Sequence, residues 1–299
     1  MNWKFTYLIL IILGLQISLF SQEDDLMDMF ADEEPTIEYA DATFKTTILV
    51  IGQTIENPLN GTLLFNVQHR FGPVNSGWYD FFGLDQANTR IGFQYGITDW
   101  LGIGIGRSSY QKTYDGWVKV KILRQSKGLR KMPLSIDYFG SMGISALKWP
   151  EPDRTNYFSS RLSYANLILI ARKFSPGVSL QLMPAHVHYN LVETKADDND
   201  VFSIGAGGRF KVSKRISINL EYYYILSAQT RKQFTDPFSI GIDIETGGHV
   251  FQLYATNAEG IIEQHFIART SGDWLNGDIH IGFNISRAFT IKKPKEFRK

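Results

Sequence analysis

Apolar and polar residues alternate with a period of two along most of this chain. Residues 61–72 place Leu63, Phe65 and Val67 on one face of an extended segment and polar side chains on the other, and residues 89–97 repeat the arrangement. Successive side chains of a β-strand point to opposite faces of the sheet, so this pattern predicts strands with one apolar face and one polar or small face.

We predict twelve main strands, at 61–72, 89–97, 101–111, 116–125, 132–146, 157–172, 177–191, 201–212, 215–228, 238–246, 249–258 and 278–290. The connections after even-numbered strands are tight or modest, whereas those after odd-numbered strands are mostly longer. An even number of strands, with short turns and both termini at one end and long loops at the other, is typical of outer-membrane barrels. The predicted fold is therefore all-β, a transmembrane antiparallel β-barrel of the outer-membrane type over residues 61–290, with about 12 strands or, as the alternative, about 14.

The N-terminus predicts export. Lys4 precedes an apolar run over residues 7–20, which is followed by Ser21 and an acidic stretch. The run is shorter than the ~20 residues that a membrane-spanning helix needs, and it ends at a small residue. Residues 1–21 are therefore predicted to be a secretory signal peptide, and a retained signal anchor is the alternative.

The two ends of the mature chain carry opposite charge. Residues 22–44 contain nine Asp or Glu residues and no Lys or Arg, whereas residues 291–299 are basic. Short runs of like charge are usually solvated tails, and we expect the acidic tail to be disordered in the periplasm. The alternatives are that the two tails pair with each other, or that they bind a periplasmic protein.

Overall composition excludes several classes of function. The chain has 31 Lys plus Arg and 30 Asp plus Glu, so there is no electrostatic case for a nucleic-acid partner. It has no Cys, which excludes disulfides, thiolate metal sites and cysteine nucleophiles. No cofactor is predicted.

Residues 45–60 form a separate segment with the apolar run Ile48, Leu49, Val50 and Ile51. If this segment crossed the membrane, the number of strands would be odd, which is unusual for a bacterial barrel. We therefore predict that it lies inside the barrel or at its periplasmic mouth, as a short strand or a plug.

Four segments resemble a known family. Residues 114–125 (YDGWVKVKILRQ), 179–192 (SLQLMPAHVHYNLV), 242–260 (IDIETGGHVFQLYATNAEG) and 282–289 (GFNISRAF) are similar to those of a Bacteroidota outer-membrane β-barrel family catalogued as domain of unknown function 5777. The resemblance covers roughly residues 44–289, and the stretch ETGGHVFQL is its most specific part. It implies a barrel in the outer membrane of a Gram-negative bacterium, and it implies no settled activity.

The predicted lumen carries charges of both signs. The inward-facing candidates are Arg70, Arg90, Lys119, Lys121, Arg161, Arg209, Asp137, Glu221, Asp243, Glu245 and Asp278. One interpretation is structural, because charges that fill a narrow barrel must pair with one another. The other is a selectivity lining for a small solute, in which a surplus of basic residues would favour anions.

Two histidines give the only indication of a metal. His186 and His188 are two residues apart on a strand, so they share a face with each other and with Asn190, and His69, His249 or His280 is a distant third ligand candidate. The alternative is a hydrogen-bonded pair near one end of the barrel, which we prefer, so no metal site is predicted. His188 with Asn190 is also the only local pair suggestive of a hydrolase, and no serine is tied to it by spacing.

The sequence thus favours a narrow passive channel for small polar or anionic solutes in the outer membrane. The alternatives are a non-conducting structural or docking barrel that binds a periplasmic or surface partner and, with less support, a lipid hydrolase. The expected partners are outer-membrane lipid and, during biogenesis, the barrel-insertion machinery.

Overall fold

The computed structural model describes residues 36–246 and 249–292. The predicted signal peptide, most of the acidic tail and most of the basic tail lie outside these residues. The described chain forms twelve long antiparallel strands, and each pairs with the next along the sequence. The strands are β1 Thr62–Pro73, β2 Ala87–Gly96, β3 Leu101–Ser108, β4 Thr113–Leu123, β5 Ser135–Ser145, β6 Leu162–Lys173, β7 Val178–Tyr189, β8 Asp200–Lys211, β9 Ile216–Ile225, β10 Phe238–Thr246, β11 His249–Thr256 and β12 His280–Thr290.

The sheet closes on itself because β12 also pairs with β1, from Thr290 opposite Thr62 to His280 opposite Pro73. Closure gives every strand two neighbours, which satisfies the backbone donors and acceptors that would be exposed at a sheet edge. The prediction of a closed all-β barrel is confirmed, with twelve strands rather than fourteen.

The connections differ in length between the two ends of the barrel. At one end, residues 97–100, 174–177 and 212–215 are short links and Thr246 pairs with His249. At the other end, the longer links are 74–86, 146–161, 190–199, 226–237 and 257–279. We call these the short-turn end and the long-loop end. Two connections depart from the rule, because 109–112 is short at the long-loop end and 124–134 is long at the short-turn end.

A small ribbon accounts for the longer link at the short-turn end. Ser126–Gly128 pairs antiparallel with Ile37–Tyr39, which belongs to the segment we expected to be disordered. Tyr39 lies under the Arg124 guanidinium, 4.3 Å from the ring centroid, and the Ala40 N–H donates to the Gln125 carbonyl. Residues 37–39 are therefore an ordered strand rather than disordered chain, and this part of the chain lies at the short-turn end of the barrel.

The outer face of the barrel is largely apolar, as the alternation predicts. On β3, for example, Ile103 and Ile105 are exposed, whereas the alternating Gly102 and Gly104 are buried. The inner face is less uniform than predicted. It is largely polar on β1–β4 and β10–β12, where Trp117 and Tyr254 are the large buried rings. On β5–β9 it includes more buried apolar side chains, namely Phe139, Leu167, Leu169, Met183, Val187, Tyr223 and Ile225.

One α-helix occurs among the described residues, α1 at Glu263–Ala268, in the connection between β11 and β12. No described helix has the length and apolar character needed to cross a membrane.

Candidate functional site: the lumen and its two inserted segments

Residues 43–58, here called the plug, lie within the barrel and are almost entirely buried. They fold back on themselves as a hairpin, in which the Leu49 N–H donates to the Gly52 carbonyl at 2.8 Å and the Thr54 N–H to the Thr47 carbonyl at 3.0 Å. An isolated bridge joins Ile48 to Gln53. The tip of the hairpin therefore points into the lumen, with its backbone groups turned toward the wall.

The tip of the plug is held by one carboxylate. Glu221 on β9 accepts hydrogen bonds at Oε2 from the backbone N–H groups of Val50, Ile51 and Gly52, at 3.0, 3.0 and 3.2 Å. A Cβ at position 52 would lie 2.2 Å from the other oxygen of Glu221, so only glycine permits this approach. Three backbone N–H groups that converge on one oxygen stabilise a buried carboxylate at this position.

The plug carbonyls are bound from several directions. Gln252 on β11 donates to the carbonyls of Ile48 and Leu49 at 3.1 and 3.0 Å, and Asn284 on β12 donates to that of Val50 at 3.1 Å. From the other side, Lys119 on β4 donates its ammonium protons to the carbonyls of Thr54 and Glu56 at 2.8 and 3.1 Å. Since β4 is five strands from β11 in the ring, the plug crosses the lumen.

The apolar side of the plug explains the apolar part of the inner wall. Leu49, Val50 and Ile51 belong to the same buried cluster as Met183 and Tyr223 of the wall. Gly207 on β8 leaves space for the Leu49 side chain, because a Cβ at position 207 would lie 2.3 Å from the Leu49 Cδ2 atom. An amphipathic plug thus needs one apolar wall and one polar wall, and the barrel provides both.

A second segment, residues 257–270 and here called the crossing loop, folds into the lumen from the long-loop end. Arg70 on β1 donates to the carbonyls of Ala258, at 2.8 Å, and Gly260. On the opposite wall, six strands away, the Tyr189 hydroxyl on β7 donates to the Gln264 carbonyl. The crossing loop is therefore fixed at both sides of the barrel.

Helix α1 in the crossing loop is wholly buried and carries two titratable side chains. Burial and, secondarily, the nearby Arg269 guanidinium lower the pKa of His265 to about 3, so its imidazole is neutral at ordinary pH. Burial raises the pKa of Glu263, although hydrogen bonds, including one from Gln53, act in the opposite direction. The Glu263 side chain is the point where the crossing loop meets the plug, since the Gln53 amide donates to it at 3.0 Å.

Six of the predicted lumen residues bind the inserted segments or the wall close to them. Arg70, Lys119 and Glu221 make the contacts described above. Glu245 pairs with Lys45 of the plug at 2.6 Å, and Asp243 accepts from Gln252 at 2.9 Å. Arg209 donates to the Ser217 hydroxyl at 3.2 Å. Arg70, Lys119, Glu221 and Glu245 therefore hold polypeptide in the lumen, a role that the sequence analysis did not assign to them, whereas Asp243 and Arg209 bind residues of the wall.

Arg90 is inward-facing as predicted, and its partner is a residue that the sequence analysis missed. Its guanidinium binds both carboxylate oxygens of Asp115 on β4, and it also donates to Gln68 at 2.9 Å. Both side chains of the pair are nearly buried. Asp115 could have been found from the strand alternation, because it lies on the same face of β4 as Lys119 and Lys121.

Asp137 and Lys121 lie toward the short-turn end. With Glu56, Arg124 and neighbouring residues they line a cavity of about 120 Å³ beside the base of the plug. Asp137 is itself 1% exposed. This cavity forms a polar vestibule where the chain enters the barrel.

Two predicted lumen residues lie elsewhere. Arg161 ends a short 3₁₀ turn before β6, donates to the carbonyls of Ser145 and Leu147, and stacks on the Trp149 ring. Asp278 precedes β12 in a connection, where its carboxylate accepts from the Asn75 amide and the Asp273 N–H, which lower its pKa. The predicted strands 157–172 and 278–290 began too early, so the alternation placed both residues wrongly in the lumen.

His186 and His188 face outward, and their partner is again a residue that the sequence analysis missed. Both imidazoles contact Oδ1 of Asp200 on β8 at 2.8 Å. His69 and His249 also face outward, on distant strands, and His280 faces inward against the Phe71 carbonyl. Asn190 donates to the Ser159 carbonyl instead of joining His188. Across the described residues, no group of three or more His, Asp or Glu side chains is arranged to hold a metal ion.

Several solved structures of outer-membrane proteins are similar to this chain. The solved structure of the NanC porin is 7% identical, with a TM-score of 0.48, and the match covers 77% of this chain and all of that one. The KdgM porin is 8% identical with a TM-score of 0.46 over 76% of this chain and 99% of its own, and the outer membrane protein Omp33 of Acinetobacter baumannii is 9% identical with a TM-score of 0.39 over 78% and 100%. No curated protein matches the chain significantly.

A family model gives the assignment. The model described as "Membrane bound beta barrel domain (DUF5777)" matches residues 44–289, which include the plug, all twelve strands and the crossing loop. Because that match covers most of the sequence, the chain belongs to this family of membrane-bound β-barrel domains.

Proposed function

We propose that this protein is a gated outer-membrane channel for small polar solutes, and that the plug and the crossing loop hold it closed in the conformation described here. The observation that carries the proposal is the nature of the lumen filling. The polar wall residues bind two inserted segments of chain, and each segment is continuous with a terminus or connection at one end of the barrel. A segment of chain that is attached at only one end of the barrel can move out of the lumen. Single side chains that fill a lumen cannot leave it in this way.

The proposed orientation follows from loop lengths. In bacterial outer-membrane barrels the short turns face the periplasm and the long loops face outside. The plug would then enter from the periplasm and the crossing loop from the exterior. The predicted signal peptide is compatible with this orientation, since export is the first step toward the outer membrane.

The polar wall supports a water-filled passage once the inserted segments leave. Release of the plug would free the Lys119 ammonium and the Glu221 carboxylate, which now bind its backbone. Arg90 would keep its own partner, Asp115. With Asp115 added to the acidic side, Asp278 removed from it and Arg161 removed from the basic side, five basic and five acidic candidates remain in the lumen. We therefore propose small polar solutes of either sign rather than anions in particular.

Single-channel recording in planar bilayers tests this proposal, with the chain as purified and a variant lacking residues 43–58. We expect the complete chain to be closed for most of the time and the deletion variant to conduct in discrete steps. Heat-modifiable migration on gels confirms that each variant is folded. A folded deletion variant that remains silent contradicts the channel and favours the non-conducting docking barrel.

A disulfide lock gives the matched control, because the chain has no native cysteine. A Cβ on Gly241 would lie 3.2 Å from Val50 Cγ1, so Val50→Cys with Gly241→Cys places two thiols within bonding reach. Openings of this variant should vanish under oxidation and return after reduction. Openings that persist in the oxidised form would show that solutes bypass the plug.

A further inference from the structure

Polar side chains form a patch on the outer, lipid-facing surface of β5–β8. The outer patch consists of Tyr138, Tyr164, Asn166, His186, His188 and Asp200. These residues lie on neighbouring strands, with Asn166 paired to His186, Tyr164 to His188 and His188 to Asp200. The Tyr138 hydroxyl donates to the Asn166 carbonyl oxygen at 2.6 Å, and Asp200 links the two imidazoles.

Tyr164, His188 and Asp200 are among the three residues nearest the long-loop end of their strands. Tyr138, Asn166 and His186 lie further from that end, and a polar group that faces hydrocarbon is costly there. Polar and ionisable side chains at the lipid face of a barrel destabilise it unless they find partners. The opposite wall follows the usual rule, since β12 presents Ile281, Phe283 and Ile285 outward. The contrast between the two walls indicates that β5–β8 meet something other than acyl chains.

The backbone is also irregular at this place. The ladder between β6 and β7 pairs Leu167 with Ala185 and then resumes at Ile170 with Leu182. Pro184 lies in that interval, and a proline has no N–H to give to the ladder, which is why it is rare in central strands. Beside it is a hollow of about 440 Å³ on the outer surface, whose lining includes Tyr138, Asn166, Ile168, Pro184, His186 and Phe202.

The chemistry of the outer patch favours one kind of occupant. None of its six residues is Lys or Arg, and Asp200 would repel a phosphate, so an anionic lipid headgroup is a poor match. Both imidazoles donate to Asp200, so each keeps one acceptor nitrogen, and Asn166 keeps its amide N–H donors because the bond from Tyr138 uses only its oxygen. The amide of one copy can therefore pair with an imidazole of an identical copy related by a two-fold axis, in which the same patch serves on both sides.

We propose that the barrel dimerises in the membrane through the outer patch, with a second copy of the chain placing its own β5–β8 wall against the first. The hydrogen-bonding groups then face each other instead of lipid, and the hollow beside Pro184 receives apolar side chains of the partner. This inference rests on the membrane location of the barrel and is independent of whether its lumen conducts.

Single-cysteine crosslinking tests the dimer in native membranes. Ile168→Cys places a thiol in the hollow, and Ile285→Cys places one at a comparable height on the opposite wall, where no contact is expected. After copper-phenanthroline oxidation, we expect a disulfide-linked dimer for Ile168→Cys and monomer for Ile285→Cys. Monomer in both, or equal crosslinking in both, overturns the proposal.

A paired substitution tests the chemistry. Asn166→Leu with His186→Leu, added to Ile168→Cys, should lower the dimer fraction by about tenfold, since polar contacts in membranes contribute on this scale. The matched control is His69→Leu with Thr89→Val, which removes a hydrogen-bonded lipid-facing pair from the β1–β2 wall and should leave the dimer unchanged. A dimer fraction that is the same in both variants contradicts the outer patch as the interface.

Subunit counting keeps the proposal testable if the leucine variant does not fold. The unmodified chain, labelled at its C-terminus and sparsely reconstituted, should bleach in two steps. One-step bleaching overturns the dimer, and native mass spectrometry then tests for a monomer with retained glycolipid, the competing occupant of the hollow.

Discussion

The side-chain amide of Gln53 donates a hydrogen bond to the Glu263 carboxylate at 3.0 Å, and this contact joins two segments that enter the barrel from opposite ends. Gln53 belongs to the plug and Glu263 to helix α1 of the crossing loop. Both side chains are buried. Movement of either segment therefore leaves a buried polar group of the other without its partner, so release of the plug and of the crossing loop is energetically coupled.

A double-mutant cycle measures that coupling. We expect Gln53→Ala and Glu263→Ala each to increase release of the plug. The effect of the double variant should be smaller than the sum of the two single effects by about 1.5 to 3 kcal/mol, because a hydrogen bond to a charged group is worth about that much. Release is measured as trypsin cleavage at Lys45, which lies in the plug. Additive effects would show that the two segments move independently.

The strongest single attachment of the plug is Glu221. Glu221→Leu leaves three backbone N–H groups of the hairpin tip without an acceptor, and each buried unsatisfied donor costs about 1 to 3 kcal/mol. We expect cleavage at Lys45 to accelerate by at least about tenfold, with the barrel still heat-modifiable.

Glu245→Gln serves as the matched control for Glu221→Leu. It removes a carboxylate that also binds the plug, through Lys45, but this ion pair is partly solvent-exposed, with side-chain exposures of 24% and 42%. Exposed ion pairs contribute about 0 to 1 kcal/mol, so a small effect is expected. Similar effects for the two variants would mean that Glu221 does not dominate the attachment of the plug.

The strands were predictable from sequence because apolar and polar residues alternate in each of them. The alternation arises because one face of a strand meets lipid and the other meets polar groups. The inner wall was harder to predict. On β6, Leu167 and Leu169 face inward while Asn166 faces the lipid side, and this reversal depends on an apolar plug that binds from a distant part of the chain. Asp115 could have been predicted as a lumen residue from the alternation on β4. The contact of Asp200 with the two histidines could not, because it depends on the register of β7 and β8, which the ten-residue loop between them leaves undetermined.

Arg70 anchors the crossing loop, and its removal should release that loop selectively. Arg70→Met keeps the length of the side chain but leaves the carbonyls of Ala258 and Gly260 without their donor. We expect faster trypsin cleavage at Arg269 by at least about fivefold, on the scale of one lost buried hydrogen bond. Arg107→Met is the control, since Arg107 stacks on Tyr114 at the outer face, and equal cleavage in the two variants would contradict the anchor.

Acid should loosen the crossing loop through His265. Its pKa is lowered to about 3 in the inserted loop by burial and by Arg269, against an ordinary value of 6.5. At pH values between these two pKa values, the His265 imidazole is protonated in the released loop but not in the inserted loop. Each pH unit below 6.5 therefore shifts the equilibrium toward release by up to about tenfold, which gives about 2 kcal/mol at pH 5.

Glu263 acts in the opposite direction, so the two contributions must be separated. Its raised pKa means that the inserted loop takes up a proton before the released loop does, and acid then favours insertion. Arg269 and the Tyr110 phenol lie close to His265, with 5.0 Å between the ring centroids of Tyr110 and His265, and Tyr189 and Glu259 lie near them in turn. Burial raises the pKa of Tyr110 further from the acidic range, so its phenol does not change charge there.

Labelling of a single cysteine separates the two titrations. Ala268→Cys is buried in the inserted loop, and its labelling rate is compared at each pH between the otherwise unchanged chain, His265→Gln and Glu263→Gln. The ratio of rates at one pH cancels the reactivity of the thiol itself. We expect acid-induced labelling to weaken in His265→Gln and to steepen in Glu263→Gln, because each variant removes one of two opposing protonation steps. If His265→Gln matches the unchanged chain from pH 7 to 5, the imidazole is not the group that acid titrates.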